Sequence, residues 1–380
     1  MGSVSETRIV TLAATIQTHT DVPSDPVYPA DIENSRAAVL GATQELVELL
    51  RGPRQLIQAR LNTQDIVYHQ LIEKFDIASL LPNGEVSYAE LAATTGMDES
   101  ALRRVLRFAI TNRIFAEKRP GYLSHSAASR VLAEDQGLRD WITCMLRDIL
   151  PSGYRAVDAL VKWPGAQDPS KTGFALAHGA GFWDVLAKDP ERGRRFAGGM
   201  RALATGDVYS LRHVTSGFPW AKLGETARVV DVGGSTGNTA FALTQKFPQL
   251  QVIVQDVPDT VAKAEQREGQ SVTFMAHDFF APQPVEGADV YLFRWILALK
   301  PGARVLIMDA VLPPVGTVPN AIERNARHFD VVMQHLFDAK EREMVEWQKL
   351  FADADGRFRF CGTTQPEGSR LAIMELKWEP

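Results

Sequence analysis

The sequence has few cysteines, no excess of positive charge and no long apolar run. Its two cysteines, Cys144 and Cys361, lie far apart, which fits a reducing compartment and offers no metal-ligand spacing. Lys and Arg number 41 against 46 Asp and Glu, so the net charge of −5 leaves no basic surplus to neutralise nucleic-acid phosphates. No apolar run approaches the roughly 18 residues of a membrane span, and the first residues show neither a signal peptide nor a myristoylation motif. We therefore expect a cytoplasmic protein that binds no metal, nucleic acid or membrane.

The stretch from Arg228 to Asp256 carries the strongest pattern in the chain. It begins with a β-branched strand pattern that contains Asp231, and a glycine-rich turn follows at residues 233–237. An apolar repeat at helical spacing and a second short strand then lead to Asp256. This order of strand, glycine turn, helix, strand and acid predicts the βαβ unit of a nucleotide-binding fold. The turn lets a ligand approach the backbone, and Asp256 lies where an acid usually accepts ribose hydroxyls.

Two cofactors are compatible with this unit, a dinucleotide and S-adenosylmethionine. The turn lacks the G-x-G-x-x-G spacing of dinucleotide sites, and Asp231 suits a ligand that carries an ammonium group and no phosphate. Further along, a third predicted strand ends at Asp278, which Phe279 and Phe280 follow. An acid and an aromatic ring in this place suit the amino group and the ring of an adenine. The pattern favours S-adenosylmethionine over a dinucleotide and over a glycine turn without a ligand.

A series of motifs resembles one family. The segments DVGGSTGN, IVQDVP, AHDFF, YLFRWIL, LKPGARVLIMDAVLP and AKEREMVEW, in that order, resemble the plant- and fungal-type small-molecule O-methyltransferases. The resemblance implies an α/β fold, in which a class I S-adenosylmethionine-dependent methyltransferase (Rossmann-like) domain is preceded by an α-helical winged-helix dimerisation domain. It also implies O-methylation of a small aromatic or polyketide-type hydroxyl, with S-adenosylhomocysteine as the second product. One departure is Ser235, where the family's DxGxGxG turn has its middle glycine.

By pattern, the chain divides into an arm and two domains. Residues 1–35 show no sustained period and predict a flexible arm, residues 36–135 form the predicted dimerisation domain, and residues 136–380 form the predicted methyltransferase domain. In the dimerisation domain, a capping box of Ser87 and Glu90 begins a pattern of two helices and two short strands that predicts a winged helix. Winged helices often bind DNA, but the acidic chain and the resemblance favour a homodimer.

Residue patterns and the resemblance together assign the residues that hold the two small molecules. Those implied to bind the cofactor are Asp231, Gly233, Gly234, Asp256, Val257, Asp278, Phe279 and Arg294. Those implied to line the acceptor pocket are Phe182, Trp183, Phe196, Met200 and Met333. Aromatic and methionine side chains at helical spacing also suit an ordinary core, so packing is the alternative role for the second set.

Methyl transfer to a hydroxyl needs a group that takes the proton, and the family uses a histidine that two acids brace. In the family that histidine follows a segment like residues 291–297. Here Leu297 runs directly into Ala298, so both the histidine and the helix that follows it are missing. The two acids that would brace the histidine, Asp309 and Glu346, are present.

The gap also conflicts with the expected backbone path. Residues 289–295 and 304–311 are predicted as neighbouring parallel strands joined by eight residues, whereas a parallel crossover usually takes a dozen or more. Such a link would barely span a strand of ~23 Å and would leave one face of the sheet uncovered. Three explanations are open: a disordered stretch omitted from the sequence, a segment lost in gene prediction, or a genuine deletion.

If the deletion is genuine, two other functions are open. Fungal relatives of this architecture include methyltransferase-like pericyclases, which hold S-adenosylmethionine as a positive charge and catalyse dehydration or ring formation. His125 and Arg294 would then polarise a substrate carbonyl. Their alternative roles are structural: a helix-cap neighbourhood for His125 and a sheet-edge ion pair for Arg294. A catalytically inactive dimeric binding protein is the other function.

Overall fold

The computed structural model describes residue 11 and residues 30–61, 63–81, 84–205, 209–265, 267, 269–294 and 304–379. Contacts divide the chain into two units, of which the first contains Ala42–Leu203 and His328–Lys340 and the second contains Ala204–Arg327 and Glu341–Pro380. Most of the arm predicted for residues 1–35 lies outside the described residues, and residues 30–35 belong to a helix. In the described part of the chain, no helix combines the length and apolarity that a membrane span requires.

Helices dominate the first unit and the segment that leads into it. They are Ala30–Arg60 (α1), Asp65–Phe75 (α2), Ile77–Leu80 (α3), Tyr88–Thr95 (α4), Glu99–Thr111 (α5), Ala127–Glu134 (α6), Gln136–Cys144 (α7), Leu150–Tyr154 (α8), Ala156–Lys162 (α9), Gly173–His178 (α10), Phe182–Lys188 (α11) and Pro190–Thr205 (α12). A π-helix, Met145–Ile149, joins α7 to α8. Apolar spacing predicts helix over residues 37–50, ended by Gly52 and Pro53, and again over residues 56–75 and 138–160. The break is present, since Gly52 has a non-helical φ of 68° inside α1. The other two segments are largely helical, with further interruptions between α1 and α2 and between α8 and α9.

Three short strands accompany the helices of the first unit, where the sequence pattern predicts a winged helix. They are Glu85–Ser87 (β1), Ala116–Arg119 (β2) and Tyr122–Ser124 (β3), which pair antiparallel in the order β1-β3-β2. The predicted capping box is present, since the Ser87 side chain accepts from Glu90 N and the Glu90 carboxylate accepts from Ser87 N at 2.8 Å. Within this unit Arg107 of α5 donates to the Glu117 carboxylate at 2.7 and 2.9 Å, so the positive charge of this arginine is paired with an acid of the same unit.

The second unit is built on one eight-stranded sheet. Its strands are Arg228–Val232 (β4), Gln251–Asp256 (β5), Val272–Ala276 (β6), Val290–Arg294 (β7), Arg304–Leu312 (β8), Arg342–Glu343 (β9), Phe358–Thr364 (β10) and Leu371–Trp378 (β11). Seven of them follow the order β10-β11-β8-β7-β4-β5-β6, and β9 pairs with the end of β8. The strands from β8 to β6 run parallel, and β11 joins them antiparallel. The order in which the chain adds strands to the sheet reverses between β4 and β7. Open α/β sheets bind ligands at such a switch point.

Helices cover both faces of this sheet. They are Arg212–Gly217 (α13), Asn238–Lys246 (α14), Pro258–Val261 (α15), Asn320–Phe337 (α16, which crosses from the second unit into the first) and Met344–Ala354 (α17). On one face, Phe241 and Leu243 of α14 pack against Val229 of β4 and Val252 of β5. This layering is the Rossmann-like arrangement that the βαβ pattern predicts.

Strands β7 and β8 lie side by side and parallel, as predicted, with Val290 opposite Arg304 and Arg294 opposite Met308. Residues 295–303, which include the junction of Leu297 and Ala298, lie outside the described part. Within the described residues, β7 comprises Val290–Arg294 and pairs with β8 over these five residues. The predicted conflict between the length of the strands and the length of their connection stays a prediction.

The sheet face that was expected to be uncovered is covered. Phe293 of β7 is 1% exposed, and Ile307 of β8 is fully buried. Both belong to one apolar cluster with Trp347 and Phe351 of α17. The Trp347 indole N–H also donates to the carbonyl of Ala310 at 3.2 Å. The prediction of an uncovered face is therefore wrong, because α17 comes from far along the chain and packs on that face.

Trp347→Ala should destabilise the protein by about 3–5 kcal/mol, because it removes a large buried side chain from this cluster. Urea unfolding of the full chain measures this loss. The matched control is Val345→Ala on the same helix, where the side chain is 68% exposed and the expected change is within about 0.5 kcal/mol. Equal losses in the two variants would contradict the role of Trp347 as the cover of this face.

Candidate functional site

The glycine turn between β4 and α14 is fastened to the end of β5. Gly233 N donates to the carbonyl of Gln255 at 2.7 Å, and Ser235 N donates to Asp256 Oδ2 at 2.9 Å. Ser235 has a φ of +54°, a left-handed conformation that costs a residue with a Cβ roughly 1–2 kcal/mol. The departure from the family's glycine therefore retains the left-handed turn at some cost in stability.

Asp231 is the buried acid behind this turn. The residue is 2% exposed, and within the described structure its Oδ2 accepts no hydrogen bond. A Cβ on Gly234 would lie 2.5 Å from that oxygen and 2.9 Å from Val254 Cγ1, so only glycine lets the turn pack this closely on Asp231. Burial raises the pKa of Asp231 to about 7, while Arg294 lowers it and Asp256 raises it further. A buried carboxylate oxygen without a partner fits a cationic ligand group such as the ammonium of S-adenosylmethionine.

In the described structure, Arg294 lies at the carboxyl end of β7, an interior strand, and therefore at the carboxyl edge of the sheet. Its Nη2 donates to the carbonyl of Tyr209 at 2.7 Å. Burial lowers the pKa of Arg294, and the charge of Asp231 raises it. The expected pairing with an acid is thus present as an electrostatic interaction with the buried carboxylate.

The other predicted cofactor residues lie at the ends of β5 and β6. The Asp256 carboxylate accepts from Ser235 N and, through Oδ1, from Val257 N at 2.8 Å. Asp278 Oδ1 accepts from the backbone N–H two residues on, at 3.0 Å, and Phe279 packs against the apolar cluster of one sheet face. Because β4, β5 and β6 are parallel neighbours, these residues share the carboxyl edge of the sheet with Asp231. Their contacts with a ligand stay predictions.

The two acids predicted to brace a histidine occupy different settings. Asp309, near the carboxyl end of β8, accepts a hydrogen bond from Ala310 N at 2.7 Å. Burial raises the pKa of Asp309 to about 6, although this hydrogen bond and Arg342 lower it. Glu346 instead caps α17, since its carboxylate accepts from Glu343 N at 3.1 Å. Sequence reasoning missed Arg342, because only the pairing of β9 with β8 brings it to this edge.

The serine-rich sequence around His125 suggested a helix cap, and the structure places a serine of that cap beside the imidazole. His125 Nδ1 lies 3.0 Å from Ser129 Oγ, in the capping box that Ser126 forms at the start of α6. His125 belongs to the first unit and Arg294 to the second, so their joint role in catalysis stays a prediction.

Four of the five predicted pocket residues come together in the first unit. The rings of Phe182 and Phe196 lie 5.0 Å apart, Trp183 lies 5.9 Å from Phe196, and Met333 packs against the same cluster. Met200, on α12 one turn beyond Phe196, is not part of that cluster. Phe182 is 3% exposed and Trp183 is 60% exposed, so the cluster is closed on one side and open on the other. This geometry suits a pocket wall as well as a core.

A cavity of about 290 Å³ lies in the first unit, with Trp163, Lys171, His335 and Asp338 in its lining. None of the predicted pocket residues lines it. The buried His335 in its wall has a partner already, since its Nδ1 lies 2.7 Å from Ser152 Oγ. This cavity is therefore not the predicted acceptor pocket.

Comparison with known proteins decides the family. The family model of the O-methyltransferase domain matches residues 158–298. O-methyltransferase gsfB from Penicillium aethiopicum is 40% identical over 383 aligned positions, which cover 95% of this chain and 91% of the relative. The chain belongs to the O-methyltransferase family. The resemblance seen in the motifs is confirmed, and so is S-adenosylmethionine, the family's methyl donor, as the cofactor.

Two solved structures share the fold. OxaC in complex with sinefungin and meleagrin has a TM-score of 0.79 at 20% identity, with 98% of each chain covered. LepI in complex with S-adenosylmethionine has a TM-score of 0.77 at 23% identity, with 99% of this chain and 100% of that chain covered. At these identities the likeness is one of fold, and it confirms a helical N-terminal region followed by a Rossmann-like methyltransferase sheet.

The same comparisons bear on the missing segment. The alignment with gsfB has 383 positions, whereas 95% of this 380-residue chain is about 361 residues, so about 22 positions of the relative have no counterpart here. The match to the family model ends at Ala298, the first residue after the junction. Both observations agree with the absence of a histidine-bearing segment after Leu297.

Gly234→Ala should abolish cofactor binding, because the added Cβ would meet Asp231 Oδ2 and Val254 Cγ1 and push the turn away from the acid that would hold the ammonium. S-adenosylhomocysteine at 100 times its dissociation constant should stabilise the unmodified protein by ~2.7 kcal/mol, and a melting assay should show none of this gain in the variant. Gly224→Ala is the matched control, since a Cβ there meets nothing within 4 Å. Equal ligand-induced shifts in both variants would contradict the assignment of Asp231.

Proposed function

We propose that this O-methyltransferase acts on a hydroxyl of a small aromatic or polyketide-type molecule. The observation that carries the proposal is the buried oxygen of Asp231 without a partner, beside Gly234, in a chain of this family. When bound, S-adenosylmethionine supplies an electrophilic methyl carbon: the acceptor oxygen bonds to it, the carbon–sulfur bond breaks, and its electron pair stays on sulfur to give S-adenosylhomocysteine.

Residues at the carboxyl edge of the sheet would each bind a different part of the cofactor. Asp231 would hold the ammonium group, because its carboxylate is buried and one of its oxygens accepts no hydrogen bond from the described residues. Asp256, at the end of the second strand of the βαβ unit, would accept the ribose hydroxyls. Asp278 would accept the adenine amino group, and Phe279 would stack on the ring.

A second candidate function rests on the connection between β7 and β8. Residues 295–303 contain no histidine, aspartate or glutamate, so the family's proton acceptor is missing from the chain as written. In a pericyclase the sulfonium charge would assist dehydration or ring formation without methyl transfer, and His125 and Arg294 would polarise the substrate. An inactive binding protein would show neither reaction.

We also propose that the protein is a homodimer formed through the domain at residues 36–135, in the cytoplasm. Four large apolar side chains on α1 and directly after it are exposed: Val47 at 40%, Leu50 at 67%, Ile57 at 64% and Leu61 at 73%. Gly52, with a φ of 68°, breaks the helical geometry between Leu50 and Ile57, so the four side chains form an exposed apolar patch on two consecutive helical segments. A patch of this kind suits burial against a second copy of the chain.

The methyl-transfer proposal predicts that S-adenosylhomocysteine and a methylated product form in equal amounts when the protein is incubated with S-adenosylmethionine and a panel of phenols. Mass spectrometry of both small molecules measures this. Asp256→Ala should lose most of the turnover, whereas Asp259→Ala, an exposed acid three residues on, should retain it. Recovery of unchanged S-adenosylmethionine while a substrate loses water or cyclises would overturn the proposal in favour of the pericyclase.

The dimer proposal predicts a mass of twice 42.0 kDa by light scattering at micromolar concentration. Leu50→Glu with Ile57→Glu should yield the monomer, because each copy would bring two acidic side chains into the proposed apolar interface. Val345→Glu, at an exposed apolar residue of the second unit, should leave the dimer intact. A monomeric unmodified protein, or a dimer that survives the double substitution, would contradict this interface.

A further inference from the structure

Asp309 is an acid at the edge where the ligand must sit. The register of β7 and β8 places Arg294 opposite Met308, so Asp309 lies one residue beyond the end of β7 toward the carboxyl edge. Ligands of open α/β sheets bind outside this edge at the switch point, which here lies between β4 and β7. Strand β8 is the next strand after β7. Asp309 therefore flanks the crevice that receives the reacting molecules.

The carboxylate of Asp309 has one oxygen engaged and one available. Its Oδ1 accepts from Ala310 N at 2.7 Å, and no other hydrogen bond to this carboxylate is present among the described residues. Asp309 is half-buried. Asp231 Oδ2 is a buried oxygen without a hydrogen-bond partner among the described residues, and neither carboxylate oxygen of Asp309 is in that state. Asp309 thus offers a carboxylate oxygen that a hydroxyl group is able to approach.

Burial leaves Asp309 a stronger base than an ordinary aspartate, although the nearby positive charge opposes this effect. Arg342 on β9 is the charge that acts on it, while the residue opposite on β11 is Ala372 and Glu346 of α17 is engaged as a helix cap. Arg294 on β7 lies on the opposite face of the sheet from Asp309. It pairs with Met308, and successive residues of a strand face opposite sides of the sheet. Burial raises the pKa of Asp309 to about 6. Above pH 6 the group is ionised and accepts protons.

We propose that Asp309 itself takes the proton of the acceptor hydroxyl, in place of a histidine, and that the enzyme therefore selects acidic hydroxyls. This inference rests on the proposed methyl transfer. The proton moves from the hydroxyl oxygen to Asp309 and from there to solvent, so one proton is released for each methyl group transferred. Residues 295–303 supply no competing acid or imidazole.

The acceptor class follows from the strength of this base. An ordinary phenol has a pKa near 10, as tyrosine does, so its proton passes to a carboxylate only steeply uphill. Halogenated phenols and the enols of 1,3-dicarbonyl compounds are far more acidic and match a carboxylate base better. General-base catalysis is most effective when the two acidities are close. Hydroxyls of these two kinds are thus the expected acceptors.

The test uses a series of chlorinated phenols of graded acidity, with initial rates of S-adenosylhomocysteine formation from pH 5 to 9. For phenols that stay protonated, kcat/KM of the unmodified enzyme should rise through about pH 6 and increase with phenol acidity. Asp309→Asn should lower it about 10²–10⁴-fold and remove the rise near pH 6. For phenols already ionised at the assay pH, Asp309→Asn should have little effect. Asp353→Asn, at an exposed acid of α17, is the control.

The outcomes separate this inference from the function on which it rests. A loss in Asp309→Asn that is equal for ionised and protonated phenols would show a structural role and overturn the inference. Full activity of Asp309→Asn on protonated phenols would also overturn it, while methyl transfer stood. If the unmodified enzyme methylates no phenol or enol at all, the proposed function fails first and the inference fails with it.

Discussion

The carboxylate of Asp231 sits at the end of β4 with 2% exposure and one oxygen that accepts no hydrogen bond in the described structure. Leaving a buried polar group unsatisfied costs roughly 1–3 kcal/mol, so the surrounding chain has to offset this cost. Arg294 supplies charge from β7, and the absence of a Cβ on Gly234 lets the glycine turn pack closely on this carboxylate. The folded protein therefore holds a site that a cationic group completes. This constraint explains why the turn lacks a phosphate-binding pattern.

The second constraint is the closure of the sheet by a short connection. Strands β7 and β8 pair over five residues in the described part of the chain, and α17 covers the sheet face on which Phe293 and Ile307 lie. Asp309, the acid that the resemblance implies as a brace, lies near the carboxyl edge of this sheet and accepts a hydrogen bond through Oδ1. The proposal for Asp309 as proton acceptor depends on the absence of a histidine from this connection.

Local patterns predicted the features that neighbouring residues decide. The capping box at Ser87, the order of strand, glycine turn and helix, and the parallel pairing of the two strands around the gap all follow from short stretches. The cover of Phe293 by Trp347 was not predictable, because 54 positions separate them and no spacing encodes the contact. The approach of Arg342 to Asp309 depends in the same way on a two-residue strand that pairs at long range. Helix breaks were missed because apolar periodicity continues across them.

A tryptic digest of the protein isolated from its natural source tests the absence of a histidine segment most directly. Trypsin cuts after Arg294 and Arg304 but spares the bond between Lys300 and Pro301, so the chain as written gives a ten-residue peptide, WILALKPGAR. Tandem mass spectrometry should find this peptide. A peptide that starts with Trp295 and continues past Leu297 into other residues, with a histidine among them, would contradict the account and return Asp309 to the role of a brace.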